Sequence, residues 1–128
     1  MSYPTYDLTV QKLFRMNLER AKRWHGGNIH SWTPLEWAGA MCGEAGEAAN
    51  AAKKLKRVVD NISNLNEGAR HLPSLELAQK AIVQEVCDTI LYAILLAASV
   101  GASADQFEQA LCEVFNSKSE EYNFPERL

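Results

Sequence analysis

Apolar residues recur at helical spacing in four stretches of the chain, and none shows the period of two that a half-buried strand requires. From about Tyr6 to Trp24, Leu8, Leu13, Phe14, Leu18, Ala21 and Trp24 fall near one helical face, and Gly26-Gly27 ends the pattern. Arg15, Glu19, Arg20, Lys22 and Arg23 take the opposite, solvent face. A second helix opens on Thr33 as N-cap, with Pro34 at the first helical position and Glu36 three residues after the cap. It runs to about Arg57, with Leu35, Ala38, Met41, Cys42, Ala45, Ala49 and Ala52 as its apolar arc. Val58 to Pro73, rich in Asn and Ser with one Gly, predicts a long connection with room for a short helical turn. Ser74 caps a third helix that ends near Gly101, and Ser103 with Gln106 forms a capping box for a fourth through Phe107, Ala110, Leu111, Val114 and Phe115. The tail KSEEYNFPERL is broken by proline, and there are no repeats. The pattern predicts an all-α protein, an antiparallel four-helix bundle forming a single domain over residues 1–128.

Composition narrows the function classes. A chain of 128 residues that is 47% hydrophobic can build one core, yet is small enough for self-association to bury more. A formal charge of -3 excludes binding a nucleic acid polymer by blanket phosphate neutralisation. Cys42, Cys87 and Cys112 are far apart in apolar helical surroundings, which predicts free core thiols in a reducing compartment. The opening MSYPTYDLTVQKLF has no basic start followed by an apolar run. The most apolar run, Val86 to Val100, carries Asp88 and follows Glu85, which reads as too short and too charged to span a membrane. A soluble, cytoplasmic protein without membrane contact is expected.

The acids change the picture. Glu44 and Glu47 are three residues apart on the second helix and project from one side. Alone, such a pair is most simply a solvated helix face. On the third helix Glu85 and Asp88 repeat the spacing and share a face with Tyr92, inside AIVQEVCDTILYAILLAASV, which reads as the buried centre of the bundle. A buried carboxylate must be protonated, ion-paired or bound to a cation. Antiparallel packing of the two helices converges four carboxylates, an all-oxygen set suited to Mg²⁺ or Mn²⁺, and the alternative is a structural ion-pair network. His25, His30 and His71 never follow a Glu by three, so the Glu-x-x-His ligands of a di-iron bundle are missing, as are the usual nitrogen and sulfur ligands of zinc.

The segments GEAGEAANAAKKLKR and QEVCDTILYAILLAASVG resemble the paired Glu-x-x-Glu and Glu-x-x-Asp motifs of the MazG-like all-α nucleotide pyrophosphohydrolases, a superfamily that includes dimeric dUTPases and dCTP pyrophosphatases. The resemblance extends from about Trp32 to the C-terminus and includes Gly46 between the first two acids. It departs at Gly43, where many members have a further Glu, and in the spacer of about 37 residues between Glu47 and Glu85, which is longer than usual. The resemblance implies that Glu44, Glu47, Glu85 and Asp88 hold Mg²⁺, and that a nucleoside triphosphate is cleaved to monophosphate and pyrophosphate. It also implies a homodimer or homotetramer. The chemistry fits the residues, since a carboxylate such as Glu47 can accept the proton of the attacking water and no side-chain nucleophile is required.

Further residues are candidates for substrate contact. Lys53, Lys54, Lys56 and Arg57 extend the second helix beyond its acids, with Lys54 nearest the Glu47 side as a phosphate contact. The same run is equally a solvated basic end that complements the helix dipole. His30, Trp32 and Trp37 lie just ahead of the acids, and a Trp there either stacks on a base or belongs to the core. Tyr92 shares the acid face, whereas Asn116, Lys118 and Arg127 lie in a region resembling the part of the family that closes over the nucleotide, or form a polar helix end and frayed tail. Two other functions fit the pattern: a phosphoribosyl-ATP pyrophosphohydrolase with the same chemistry, and a non-catalytic helical interaction module whose acids meet partner arginines.

Overall fold

The computed structural model describes residues 5–60 and 74–128. Among the described residues four α-helices occur in chain order, α1 (Val10–Trp24), α2 (Pro34–Val59), α3 (Leu75–Ser99) and α4 (Ala104–Glu121), with a 3-10 turn at Ile29–Ser31. All regular structure among the described residues is helical. Most of the predicted connection from Val58 to Pro73 lies outside the described residues. The start signals act as the residues dictate. In α2 the Thr33 hydroxyl accepts the Glu36 N–H, and the Glu36 carboxylate accepts the Thr33 N–H in return. Ser103 and Gln106 exchange the same pair of bonds at α4. Ser74 accepts from Leu77 N–H at the head of α3. The first helix begins at Val10 rather than Tyr6, because Thr9 is its cap and accepts the Lys12 N–H.

The chain divides into two compact units, Trp32–Leu96 in one, and Met1–Ser31 with Ala97–Leu128 in the other. In the second of these, α1 meets α4 through Phe14 and Phe107, with ring centroids 5.4 Å apart. Phe14, Ala21, Ile29 and Ala104 are buried there with Asn17 and Ser119. Trp24, expected on the apolar face, is 68% exposed and lies under the Arg20 guanidinium instead. The tail is ordered against α4. Asn123 adopts a positive φ of 58°, Phe124 N–H returns to Ser119 O at 2.8 Å, and the Asn116 amide bonds the Leu128 backbone in both directions.

In the other unit α2 and α3 pair as an antiparallel hairpin with a readable register. Trp37 meets Tyr92, Glu44 lies beside Glu85, and Ala51 faces the same groove as Ala78. Each of these pairs of residue numbers adds to 129. The covered positions of α2 include Trp37, Met41, Glu44, Ala48, Ala51, Leu55 and Val58, and those of α3 include Ala78, Ile82, Glu85, Thr89, Tyr92 and Leu96. Both series alternate steps of three and four, the spacing of a coiled-coil seam.

This seam differs from the expected apolar arc. Glu44 sits within it, while Cys42, Ala45, Ala49 and Ala52 are exposed. The reason is that the large Trp37 and the aliphatic Leu55 and Val58 fall on the Glu44 stripe and dominate the burial available to α2.

Nor is α3 a helix buried on all sides. Val83, Val86 and Ile90 are 61%, 44% and 47% exposed. An 18-residue window of this 25-residue helix reaches a mean hydropathy of 1.7 with 17% of it buried, so by length and composition α3 passes the test for a membrane-crossing helix that the shorter run Val86 to Val100 fails. Cys42 and Cys87 are exposed and Cys112 is half-buried, so the free thiols are not core residues.

Candidate metal centre and adjoining groove

The seam builds the site. Its register brings Glu44 of α2 opposite Glu85 of α3, and Asp88 follows one helical turn along the same face. One ligand oxygen from each of Glu44, Glu85 and Asp88 lies within 4.8 Å of the others. Glu44 and Glu85 are half-buried and Asp88 is exposed, so water reaches one side. The four ion pairs among the described residues, Lys12–Asp7, Lys22–Glu19, Lys56–Asp60 and Lys118–Glu121, leave these acids without a basic partner. That arrangement does not fit an ion-pair network within the described chain. Three oxygen donors with an open side are a donor set that a hard cation such as Mg²⁺ or Mn²⁺ accepts.

Glu47 is exposed and stands outside the triple. It lines, with Glu85, a neighbouring groove of about 170 Å³ that Asn50, Lys54 and Leu77 also border. Asn50 lies one turn beyond Glu47 and carries no signal in the sequence apart from that spacing, since a single Asn on a helix is ordinarily surface. On the other side of the acids Trp37 is buried beneath Trp32, at 4.6 Å between centroids, and Tyr92, at 6.2 Å. Trp37 is therefore core, while Trp32 and Tyr92 are half-buried and retain surface for a ligand.

The remaining sequence candidates belong to the other compact unit. His30 is exposed on the 3-10 turn, with its N–H held by the Asn28 side chain. Lys118 pairs with Glu121 at 3.0 Å. The Arg127 guanidinium donates to the carbonyls of Phe124 and Glu126, and Asn116 is occupied by Leu128, so these side chains are engaged in shaping the tail.

The crowding of like charges has a titration consequence. Partial burial, then the charges of Asp88, Glu85 and Glu47, then a hydrogen bond with Glu85, hold the Glu44 carboxyl above its ordinary value of 4.5. A group whose pKa is raised by folding contributes stability that is present below its unfolded value and lost as pH rises through its folded value. In EDTA, the wild type is therefore expected to gain melting temperature relative to Glu44→Gln as pH falls from 7 towards 4.5. A difference between the two that stays flat over that window would show that the acids are not strained.

Within the described residues these features define a class, an all-helical protein whose antiparallel hairpin carries a three-carboxylate cluster beside a groove. No family model, curated protein or solved structure matches the chain.

Proposed function

We propose that this protein is a Mg²⁺-dependent nucleoside triphosphate pyrophosphohydrolase of the MazG-like kind, acting on canonical or modified (d)NTPs in control of the nucleotide pool. One observation carries the reading: Glu44, Glu85 and Asp88 converge ligand oxygens within 4.8 Å from two helices, with no cation among the described residues to neutralise them. Bound Mg²⁺ supplies neutralisation of the phosphate chain and a more acidic water. Glu44, Glu85 and Asp88 hold it, and Glu47, exposed beside them, accepts the proton of the attacking water. One phosphoanhydride bond breaks, the hydroxyl of water goes to phosphorus, and the products are a monophosphate and pyrophosphate. Trp32 and Tyr92 offer aromatic surface to the base.

A panel of NTPs, dNTPs, modified nucleotides and phosphoribosyl-ATP, incubated with Mg²⁺, tests this. Release of pyrophosphate with monophosphate from at least one of them, abolished by EDTA, is the expected result. Turnover of phosphoribosyl-ATP alone would favour that narrower activity. Stepwise orthophosphate release throughout overturns the reading, and a protein that neither binds Mg²⁺ nor turns over any nucleotide is an interaction module.

The uncovered face of the hairpin supports an assembly. Cys42, Ala45, Ala49 and Ala52 of α2 and Val83, Val86 and Ile90 of α3 are exposed in a single chain. Apolar surface of this extent favours association, so a homodimer or homotetramer is expected. Light scattering at micromolar concentration should give a multiple of 14.3 kDa. A monomer mass, or partition of the protein into lipid vesicles instead, would refute it.

A further inference from the structure

The α2–α3 seam gives the hairpin two sides, and the residues that flank the seam fill them differently. A residue one before and a residue one after a seam position are turned about 100° to either side of it. Glu47 and Lys54 stand one before Ala48 and Leu55 in α2, and Leu77 and Ala81 stand one before Ala78 and Ile82 in α3. These residues line the groove beside the acids, so they mark the acid side of the hairpin. Cys42, Ala45, Ala49 and Ala52 instead follow Met41, Glu44, Ala48 and Ala51 in α2. Val83, Val86 and Ile90 likewise follow Ile82, Glu85 and Thr89 in α3. All of them are exposed, and together they form an apolar face on the side opposite the acids.

That face is complementary to itself. Its α2 half is low, built of small side chains, and its α3 half is a ridge of β-branched ones. A two-fold partner can lay its α3 ridge on this α2 and receive this α3 ridge on its own α2. Two closures stack the hairpins face to face. With the axis across the helices, α2 meets the partner's α2 and α3 the partner's α3, so the small halves gape while the ridges collide. With the axis along the helices, each α2 lies antiparallel to the partner's α3, and ridge meets low half twice. Charge agrees with the second closure. A two-fold rotation carries no translation along its axis, so residues level with each other in one hairpin are level across the pair. Lys53 and Glu76 are level, since their numbers add to 129 as those of the seam pairs do. Both are exposed at the flank of the apolar face, and neither has an ion-pair partner among the described residues.

Resting on the assembly proposed above, we infer that a second copy of this chain covers the apolar face in a two-fold four-helix bundle whose axis runs along the hairpin, with α2 of each copy against α3 of the other. Lys53 of each copy then meets the partner's Glu76 at one end of the bundle. Cys42 and Cys87, whose numbers also add to 129, are level as well. Within one chain they are exposed on different helices, turned away from the seam. Across the pair, Cys42 comes beside the partner's Cys87. The acids of both copies stay on the outer sides of the bundle, so each copy holds its own metal centre.

The test uses the full chain and two independent readouts, cross-linking and sedimentation. Cys112→Ser leaves Cys42 and Cys87 as the only thiols, and a short bismaleimide then reports which of them are neighbours. A covalent dimer is expected, with Cys42 joined to Cys87 in its linked peptides. Adding Cys42→Ser or Cys87→Ser to that chain should abolish the dimer band, and mixing the two variants should restore it, because each copy then supplies one thiol. In sedimentation, Val86→Asp should raise the dimer dissociation constant about 100-fold or more with helical content unchanged, since it brings an unpaired carboxylate into the interface. Lys53→Glu and Glu76→Lys should each raise it about threefold to tenfold, and the two together should return it towards wild type. A monomer at micromolar concentration, or a dimer that Val86→Asp leaves intact, overturns the inference even where hydrolysis persists. Links joining Cys42 to Cys42 would establish the axis across the helices and overturn it too, as would partition into lipid vesicles in place of dimerisation. Cys42–Cys87 links between copies of a protein that hydrolyses nothing would keep the interface and remove the enzyme.

Discussion

Replacing Asp88 with Asn is expected to lower Mg²⁺-dependent hydrolysis by about 100-fold or more, because even residues that only support a metal's ligands cost about 10–100-fold when changed and Asp88 supplies a ligand oxygen itself. The melting temperature in EDTA should stay at or above that of wild type. Both expectations come from the same geometry. Asp88 presents an oxygen within 4.8 Å of ligand oxygens of Glu44 and Glu85, with no lysine or arginine pairing with any of them among the described residues. Removing one of three like charges relieves repulsion, and because Asp88 is exposed, the asparagine is not stranded in an apolar site. Glu85→Gln should behave similarly. Mg²⁺ should stabilise wild type by about 2.7 kcal/mol at a hundredfold excess over its dissociation constant, and the variants little, since only intact ligands gain binding energy on folding. An ion-pair network predicts the reverse, a cost of roughly 3 to 5 kcal/mol for stranding the partner charge. Melts of wild type and both variants in EDTA and in Mg²⁺ decide it: strong destabilisation in EDTA together with a wild type indifferent to Mg²⁺ would remove the metal site.

The largest stability effect is expected at Trp37. It is 1% exposed and stacks against both Trp32 and Tyr92, so truncation to Ala deletes the biggest buried side chain of the hairpin. Trp-to-Ala changes in cores cost about 3–5 kcal/mol, a large share of the roughly 5–15 kcal/mol by which a domain is stable. Denaturant unfolding at fixed protein concentration should show that loss, with Trp37→Phe recovering much of it. The seam should also loosen locally. Tyr92 is one turn beyond Asp88, so the variant should bind Mg²⁺ more weakly even where it remains folded. A loss below about 1 kcal/mol would mean that Trp37 does not anchor the α2–α3 register.

Some of this architecture is written in short-range chemistry and was legible without coordinates. Thr33-Pro34 with Glu36, Ser74, and Ser103 with Gln106 satisfy orphan N–H groups within three residues of themselves, so the starts of α2, α3 and α4 follow from local hydrogen bonding. The i, i+3 spacing of Glu44 with Glu47 and of Glu85 with Asp88 likewise fixes which acids share a helical face. The start of α1 was less legible, since Tyr6 and Leu8 continue an apolar pattern but Thr9 supplies the cap.

What the tertiary structure decided is everything that depends on register. Only the antiparallel offset of α2 against α3 chooses Glu44, Glu85 and Asp88 as the convergent three and turns Glu47 towards a groove with Asn50 and Lys54. A helical wheel ranks faces by apolar content, and on that basis the Ala45, Ala49 and Ala52 stripe looked like the core. Burial went instead to the stripe holding Trp37, Leu55 and Val58, because packing rewards side-chain area rather than the number of apolar positions. The same limit applies to Asn116 and Arg127, whose fate as tail-shaping groups rests on a chain reversal at Asn123 that no periodicity announces. The sequence by itself determined the helices, their caps and the candidate acids, since these are set by neighbours three or four residues away. The seam, the cluster and the groove required the tertiary structure, because contacts between residues far apart in sequence depend on how two faces fit.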